Sequence, residues 1–460
     1  MKIIKSGRDL FMTDIIFSFD TEDYVNPKCA DGIIRSAELL REYGYRGCYN
    51  IVGYMADALV EWGREDIVEN LKKYHEIDYH SHRHSHHPTI NEITDRADYQ
   101  GAYEDLRWEE SRGIRKVKEL FDVGFIPAAC PPGNSTSYVA HYLYADLGFP
   151  IYDGDEIYDS VRSRPVSTCN IWGTHYNKAL ENMLFTATEE SLKAYLDEKV
   201  ATRDLFTFYH HPQRAYGTTF CDVDNFKGVN TPKDQWKETV LHTEEEIETF
   251  YKNYRILLEL IKNDPRFRVI TYKELASRLN DRESRILTRA DLPVLRAQLT
   301  EKFFPVTAPD SYCLADLFHA CREFLCGKNE HRCGKVYGFL DTPYAVTEPV
   351  TLSASDLIAT AKALRADGFL PEYIYVNDQK IGPADWMRAA MAVILDGAET
   401  VTISPDAWQI DLDQFPMYRD LSYKNTWVHC ASLEDNFLTK RFRLQSWTIR
   451  LPKGTRRTIF

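Results

Sequence analysis

Short apolar runs in this chain repeatedly end in tight clusters of acids or histidines. That pairing limits the fold more than any other feature of the sequence. The run from Asp14 to Phe19 leads into Asp20-Thr21-Glu22-Asp23. The stretch from His75 to Tyr79 leads into His80-Ser81-His82-Arg83-His84-Ser85-His86-His87, which holds five histidines in eight residues. Residues 123–129 lead into Cys130-Pro131-Pro132-Gly133, Pro150-Ile-Tyr into Asp153 and Asp155, and residues 204–209 into His210-His211. Helix-length segments are predicted between and after them, at 30–43, 67–74, 102–120, 138–147, 244–261 and 273–279, and a second strand at 48–53. Strands alternating with helices predict an α/β fold around a parallel sheet. In such sheets ligands sit at the carboxyl ends of the strands. Polar clusters that share this position therefore point to one site at one end of the sheet.

Composition removes several function classes. The chain has 460 residues, 44% hydrophobic and 27% charged, with a net charge of -13 and no Lys/Arg block. Nucleic-acid binding has little electrostatic support in such a chain. No apolar run approaches the ~20 residues that a bilayer requires. The first residues lack a sustained apolar segment and a small-residue cleavage site, so no signal peptide is read and a cytoplasmic protein is expected. Ten cysteines without a C-x-x-C pair predict reduced, mostly buried thiols, with Cys313 and Cys321 in the core of one helix.

The pattern weakens over residues 284–310, a polar stretch with Arg285, Arg289, Pro293 and Pro305, preceded by Arg282. The expected division is a domain at 1–283, a linker at 284–310 and a smaller α+β accessory domain at 311–460. Helices are predicted there at 314–325, 354–364 and 384–395. Between the last two, residues 370–383 read as a Pro-opened strand, a turn at Asn377-Asp378 and a helix start at Pro383. The C-terminal stretch is expected to be β-rich, with Tyr423, Trp427, Trp447 and Ile449 at strand-like positions. This half carries no catalytic constellation.

Imidazole is the commonest metal ligand, because its neutral nitrogen binds a cation near neutral pH. His80 and His84, four apart, can reach one ion, and so can His82 and His86. Spacing does not choose between the pairs, and a polar loop with weak metal affinity is the plainer alternative. A carboxylate from Asp20-Thr21-Glu22 would complete a two-His, one-carboxylate set with room for water, the nucleophile of metal-assisted hydrolysis. A second carboxylate can act as general base, and His210 or His211 as general acid. This is apparatus for hydrolysing an amide or an ester. His175, His242, His319 and His429 stand alone and read as exposed or internally satisfied.

These residues resemble the polysaccharide deacetylases of the NodB-homology type (carbohydrate esterase family 4), over residues 1 to about 280. The segment Ser18-Phe19-Asp20-Thr21-Glu22 is similar to the family's first motif, and Glu76 to His84 to the second. Residues 44–53 are similar to its second strand. The resemblance implies a distorted, incomplete (β/α) barrel and a divalent metal, commonly zinc (Zn2+). It implies Asp20 as general base, Glu22, His80 and His84 as metal ligands, and Ser81 at the usual hydroxyl position. It implies His211, ahead of His210, as the acid. The implied activity is a metal-dependent deacetylase acting on carbon–nitrogen (non-peptide) bonds of an N-acetylated, or O-acetylated, carbohydrate. A sugar or glycan is the implied partner, and a homo-oligomer is compatible with it. The third motif departs from the family: Cys130 stands where the Arg beside the base is usual, and the following aromatic is missing. Cys cannot replace a fixed cation. Arg83 and Arg214 are the candidates to take over, and Asp153 is a candidate to tune the histidine. The departure leaves two alternatives, a hydrolase of a non-sugar or cyclic amide and a degenerate glycan-binding protein. Residues 350–397 also have a faint resemblance to pseudomurein-binding-like repeats.

Overall fold

The computed structural model describes residues 12–134, 137–154, 162–279, 285–405, 408, 410 and 437–455. Ten strands form one sheet: β1 (Thr13–Thr21), β2 (Cys48–Ile51), β3 (Glu76–Tyr79), β4 (Ala128–Ala129), β5 (Ile151–Asp153), β6 (Val166–Thr168), β7 (Ile171–Thr174), β8 (Tyr176–Ala179), β9 (Leu205–His210) and β10 (Phe267–Val269). Their order is β6-β7-β5-β4-β3-β2-β1-β9-β8, with β10 beside the first residues of β1. Every pairing is parallel except β6 with β7. The sheet curls with helices outside it and does not close, since β6 and β8 are its two ends. The architecture is an open, distorted (β/α) barrel.

The sequence of β1 accounts for its central position. Ile15, Phe17 and Phe19 face the helical layer, and Ile16 joins the packed group inside the barrel. A strand buried on both faces needs this near-continuous apolar run. Its register aligns Asp20 with Asn50 of β2 and Asn50 with Asp78 of β3, while Phe19 pairs with His210 of β9. Strand order thus brings the ends of β1, β3 and β9 together, although they are far apart in sequence.

The expected helices at 30–43, 67–74, 102–120 and 138–147 form as Asp31–Glu42, Glu65–Tyr74, Tyr99–Phe121 and Tyr138–Asp146. The long one starts where the Asp98 carboxylate accepts from Gly101 N. The strand read over 48–53 ends at Ile51, and Gly53–Glu61 is a helix instead. Its Met55, Ala56, Ala58 and Leu59 are buried, an apolar face that sequence alone could not distinguish from a strand. Residues 166–179 hold three strands of three or four residues each, too short for a periodic signal.

A second packed core includes Leu292, Leu295, Leu299, Phe318 and Trp386. Residues 284–310 contribute to it: strand Ile286–Thr288 pairs with Glu330–Arg332, and Leu292–Glu301 is helical. Helices Leu314–Leu325, Ala354–Ala363 and Pro383–Asp396 follow the sequence pattern. Cys313 caps the first of these and Cys321 is buried within it. Asn377 and Asp378 both adopt positive φ (46° and 66°) between Ile374–Val376 and Gln379–Ile381, as a two-residue hairpin turn requires. The β-rich expectation for the C-terminus fails at Trp447. That residue sits in a 3-10 turn (Ser446–Thr448), after helix Phe437–Arg443. Its ring anchors this turn in the core against Phe303 and Phe339. Tyr423, Trp427, His429, Cys430, Asp155 and Arg282 lie outside the described residues. Among the described residues no disulfide forms, and of the nine described cysteines all but Cys326 are buried. Hydrogen bonds from Tyr142 Oη to Gln445 Oε1 (2.8 Å) and from Asn170 Nδ2 to Val336 O (2.8 Å) join the second core to the barrel. Among the described residues, no helix is long and apolar enough to cross a membrane.

Trp386 is fully buried against Phe318. Trp386→Ala is expected to cost about 3–5 kcal/mol through the cavity it leaves. Urea denaturation followed by far-UV circular dichroism measures the loss.

Candidate metal and catalytic site

The ends of β1 and β3 and the residue after β9 converge on one buried carboxylate, Glu22, which is 3% exposed. Its Oε2 lies 2.8 Å from His84 Nε2 and 3.3 Å from His80 Nε2, and its Oε1 lies 3.8 Å from His211 Nε2. Glu22, His80 and His84 each offer a ligand-type atom within 4.8 Å of the other two. Asp20 stands beside them, with Oδ2 3.6 Å from His211 Nε2 and Oδ1 3.7 Å from His80 Nδ1. All five sequence-predicted site residues are therefore brought together. Two imidazoles and a carboxylate are a donor set that suits a divalent transition metal such as zinc.

The loop after β3 decides which histidines take part. His80 N donates to Ile51 O (3.0 Å), continuing the strand by one residue. Ser81 (φ 67°) and His84 (φ 55°) then adopt left-handed backbone, an uncommon region for side chains larger than Gly. The Ser81 hydroxyl accepts from His84 N (3.0 Å) and holds that turn. It leaves the His80 and His84 rings 5.1 Å apart. His82 points elsewhere, its Nδ1 2.6 Å from Glu109. His86 packs edge-on to Tyr54 and against Phe226, and His87 pairs with Glu92. Helices clamp this path closely. A Cβ on Gly113 would stand 2.7 Å from His82 Cα, and one on Gly53 would stand 2.6 Å from the His82 ring.

Three partners of the site are missing from the sequence reading. Asp222, from helix Cys221–Asn225, holds His84 Nδ1 at 3.0 Å and also bonds Ser85 Oγ. Orienting a ligand imidazole through its far nitrogen is the usual supporting interaction of a metal site. Glu181 holds His211 Nδ1 at 2.6 Å and lies 3.1 Å from His210 Nδ1. Asn50 Nδ2 donates to Asp20 Oδ1 (2.7 Å) and to Ser18 Oγ (2.8 Å). Asn50 alone had a faint marker, a polar residue inside the apolar β2 run.

The electrostatics follow from burial among opposite charges. Burial opposes ionisation of Glu22, but His211, His84 and His80 overcome it and hold the carboxyl well below its ordinary range. Burial likewise works against charge on His211. The carboxylates of Glu22, Glu181 and Asp20 prevail and lift it to about 10. His210 moves the other way: burial lowers it against the pull of Glu181. Its ring is fully enclosed, stacked on Phe250, whereas His211 is 15% exposed and faces Asp20 and Glu22.

Neither Arg83 nor Arg214, the two candidates read from the sequence, pairs with Asp20 among the described residues. Arg83 pairs with Glu109, and Arg214 donates to Gly217 O and lies over the Phe220 ring. The neutral amide of Asn50 bonds Asp20 instead. Asp153 does not serve His211 in the expected way: it bonds Tyr272 Oη and Thr174 Oγ1 inside the barrel, and Glu181 occupies the imidazole. Cys130 is buried in that interior group. His319 is buried, but its Nδ1 has no hydrogen-bond partner, so it is neither exposed nor internally satisfied; His242 lies 3.4 Å from Glu246.

No family model and no curated protein matches the chain, and nothing found supports the repeat resemblance over 350–397. Among solved structures the chain resembles carbohydrate esterase family 4 deacetylases at low identity. A proposed polysaccharide deacetylase from Mycobacterium smegmatis is 15% identical, over 59% of this chain and 92% of that one, with a TM-score of 0.39. The allantoinase Puue is 12% identical over 58% and 89% (TM-score 0.38). A family 4 acetyl xylan esterase from Clostridium thermocellum, solved with cobalt, is 13% identical over 58% and 91% (TM-score 0.31).

Asp222→Asn removes the charge on His84 Nδ1 while keeping the shape. It is expected to weaken zinc binding by about 10–100-fold, measured by competition with a chromophoric chelator.

Proposed function

We propose that this chain is a metal-dependent deacetylase that hydrolyses acetyl groups on an N-acetylated or O-acetylated carbohydrate, with residues 1–283 as the catalytic part. The observation that carries the reading is the pairing of two opposed proton-transfer groups, Asp20 and His211, beside Glu22, His80 and His84. A binding protein has no use for both.

A divalent ion held by Glu22, His80 and His84, with zinc the best match to the donors, would supply Lewis acidity toward an acyl carbonyl and toward water at an open position. The remaining chemistry belongs to the side chains. Asp20 takes the proton of the attacking water. Asn50 engages Asp20 Oδ1, which leaves Oδ2 on the side of His211. His211 enters the reaction protonated, because Glu181 and the neighbouring acids favour its cation. Its Nε2–H donates to the departing nitrogen or oxygen as the acyl bond breaks.

A second reading keeps these residues and changes the substrate to a non-sugar or cyclic amide. The enclosure of the site favours it. Asp20 is 4% exposed, His80 1% and Glu22 3%, which suits a compact substrate. Acetate release from acetylated sugars and ring opening of cyclic imides, assayed side by side on the zinc-loaded chain, separate the two.

Asp20→Asn is expected to reduce kcat/KM for acetate release by about 10²–10⁴-fold, the usual worth of a general base. Activity that survives the substitution removes the proposal. The pH profile provides a second check. The carboxylates around His211 raise its folded pKa above the ordinary histidine range, so the acid is present at and below neutral pH and is lost as pH rises through the raised value. Glu181→Gln withdraws a raising influence, so the alkaline limb of kcat/KM should move to lower pH. An unmoved limb would mean that His211 is not the acid.

A further inference from the structure

Beneath the site just described, the barrel interior carries acids where packed α/β barrels carry branched apolar side chains. Cys48 of β2 pairs in register with Glu76 of β3, and Asp78 follows two residues later on the same face. The three side chains are buried at 0%, 6% and 0% exposure. One ligand-type atom from each lies within 4.8 Å of the other two. Asp78 Oδ1 accepts from Ala128 N (2.8 Å), while its Oδ2 has no hydrogen-bond partner. Glu76 accepts from Lys273 N (3.1 and 3.3 Å). Among the described residues, neither carboxyl group is ion-paired with a Lys or Arg.

We propose that Cys48, Glu76 and Asp78 hold a second divalent transition-metal ion inside the barrel, separate from the Glu22–His80–His84 group. To stay ionised, a buried carboxylate requires a compensating positive charge or full hydrogen bonding. Asp78 Oδ2 has neither, and a cation shared with Glu76 supplies the charge. Cys48 Sγ lies 3.5 Å from Glu76 Oε1. That is the separation of two ligands on one tetrahedral zinc, given bonds of about 2.3 Å to sulfur and about 2.0 Å to oxygen. One thiolate with two carboxylates favours zinc or cobalt(II) over magnesium or calcium, which take oxygen alone. Binding ionises the Cys48 thiol and releases its proton to solvent. The site is closed to substrate, so its role is to hold β2 to β3 below the catalytic residues. None of this rests on the proposed hydrolysis.

Cobalt(II) loading of the full chain tests the site through the near-ultraviolet charge-transfer absorption of a thiolate–cobalt bond. That band is expected in the wild type, unchanged in the His80→Ala/His84→Ala double variant and absent in Cys48→Ala. A wild-type protein without the band overturns the proposal, as does a band that survives Cys48→Ala. Crystals of the unmodified chain grown with zinc keep the test decisive if Cys48→Ala does not fold. An anomalous peak bonded to Cys48 Sγ supports the site. Its absence overturns it, whatever appears at His80 and His84.

Discussion

Glu22 is the constraint on which the rest of the site depends. A carboxylate that is 3% exposed is destabilising unless charge and hydrogen bonds come to it. Three imidazoles do so, from two distant parts of the chain. Each needs its own support, and the surrounding structure supplies it. His84 requires a left-handed backbone, a Ser81 hydroxyl and Asp222; His211 requires Glu181. The bare protein thus packs alternating charges, acid, imidazole and acid, in a volume with little water. Such a group has two stable ways to persist: as a protonated ion-pair network, or around a metal cation that takes over from the protons. The donor atoms converge on Glu22 in both cases.

Much of this was readable in the sequence, for identifiable reasons. The apolar run of β1 and the helical periods at 31–42 and 99–121 announce themselves because burial repeats with the period of the backbone. The placement of Asp20, Glu22 and the His80 run followed from one rule, that parallel sheets carry their ligands at the strand ends. The supporting residues had no such rule. Glu181 and Asp222 come from helices of four and five residues, in stretches without strong periodicity. Their partners lie 30 and 138 positions away, a distance that only the folded chain closes. The choice of His80 and His84 over His82 and His86 was also invisible to spacing. It depends on two positive φ angles and on Glu109, which draws His82 aside.

Neutral groups, rather than a fixed cation, set the position of Asp20. A guanidinium at position 130 would set a fixed charge in the barrel interior. Cys130 instead packs with Ile151, Trp172 and Tyr272. The Asn50 amide donates to Asp20 and to Ser18, and Tyr272 Oη lies 3.0 Å from Ser18 Oγ and donates to Asp153. This chain of neutral donors fixes the position of the Asp20 carboxylate without adding a charge. It also fixes the Asn50 amide itself, because only its nitrogen side can face two acceptors.

The consequence reaches His211. A cation beside Asp20 would repel a protonated imidazole whose Nε2 lies 3.6 Å from the same carboxylate. The neutral Asn50 amide on Asp20 Oδ1 adds no such repulsion, and Glu22, Glu181 and Asp20 together favour the charged form of His211. Asp20 is thus held on one oxygen by a neutral amide, while its other oxygen faces the imidazole of His211.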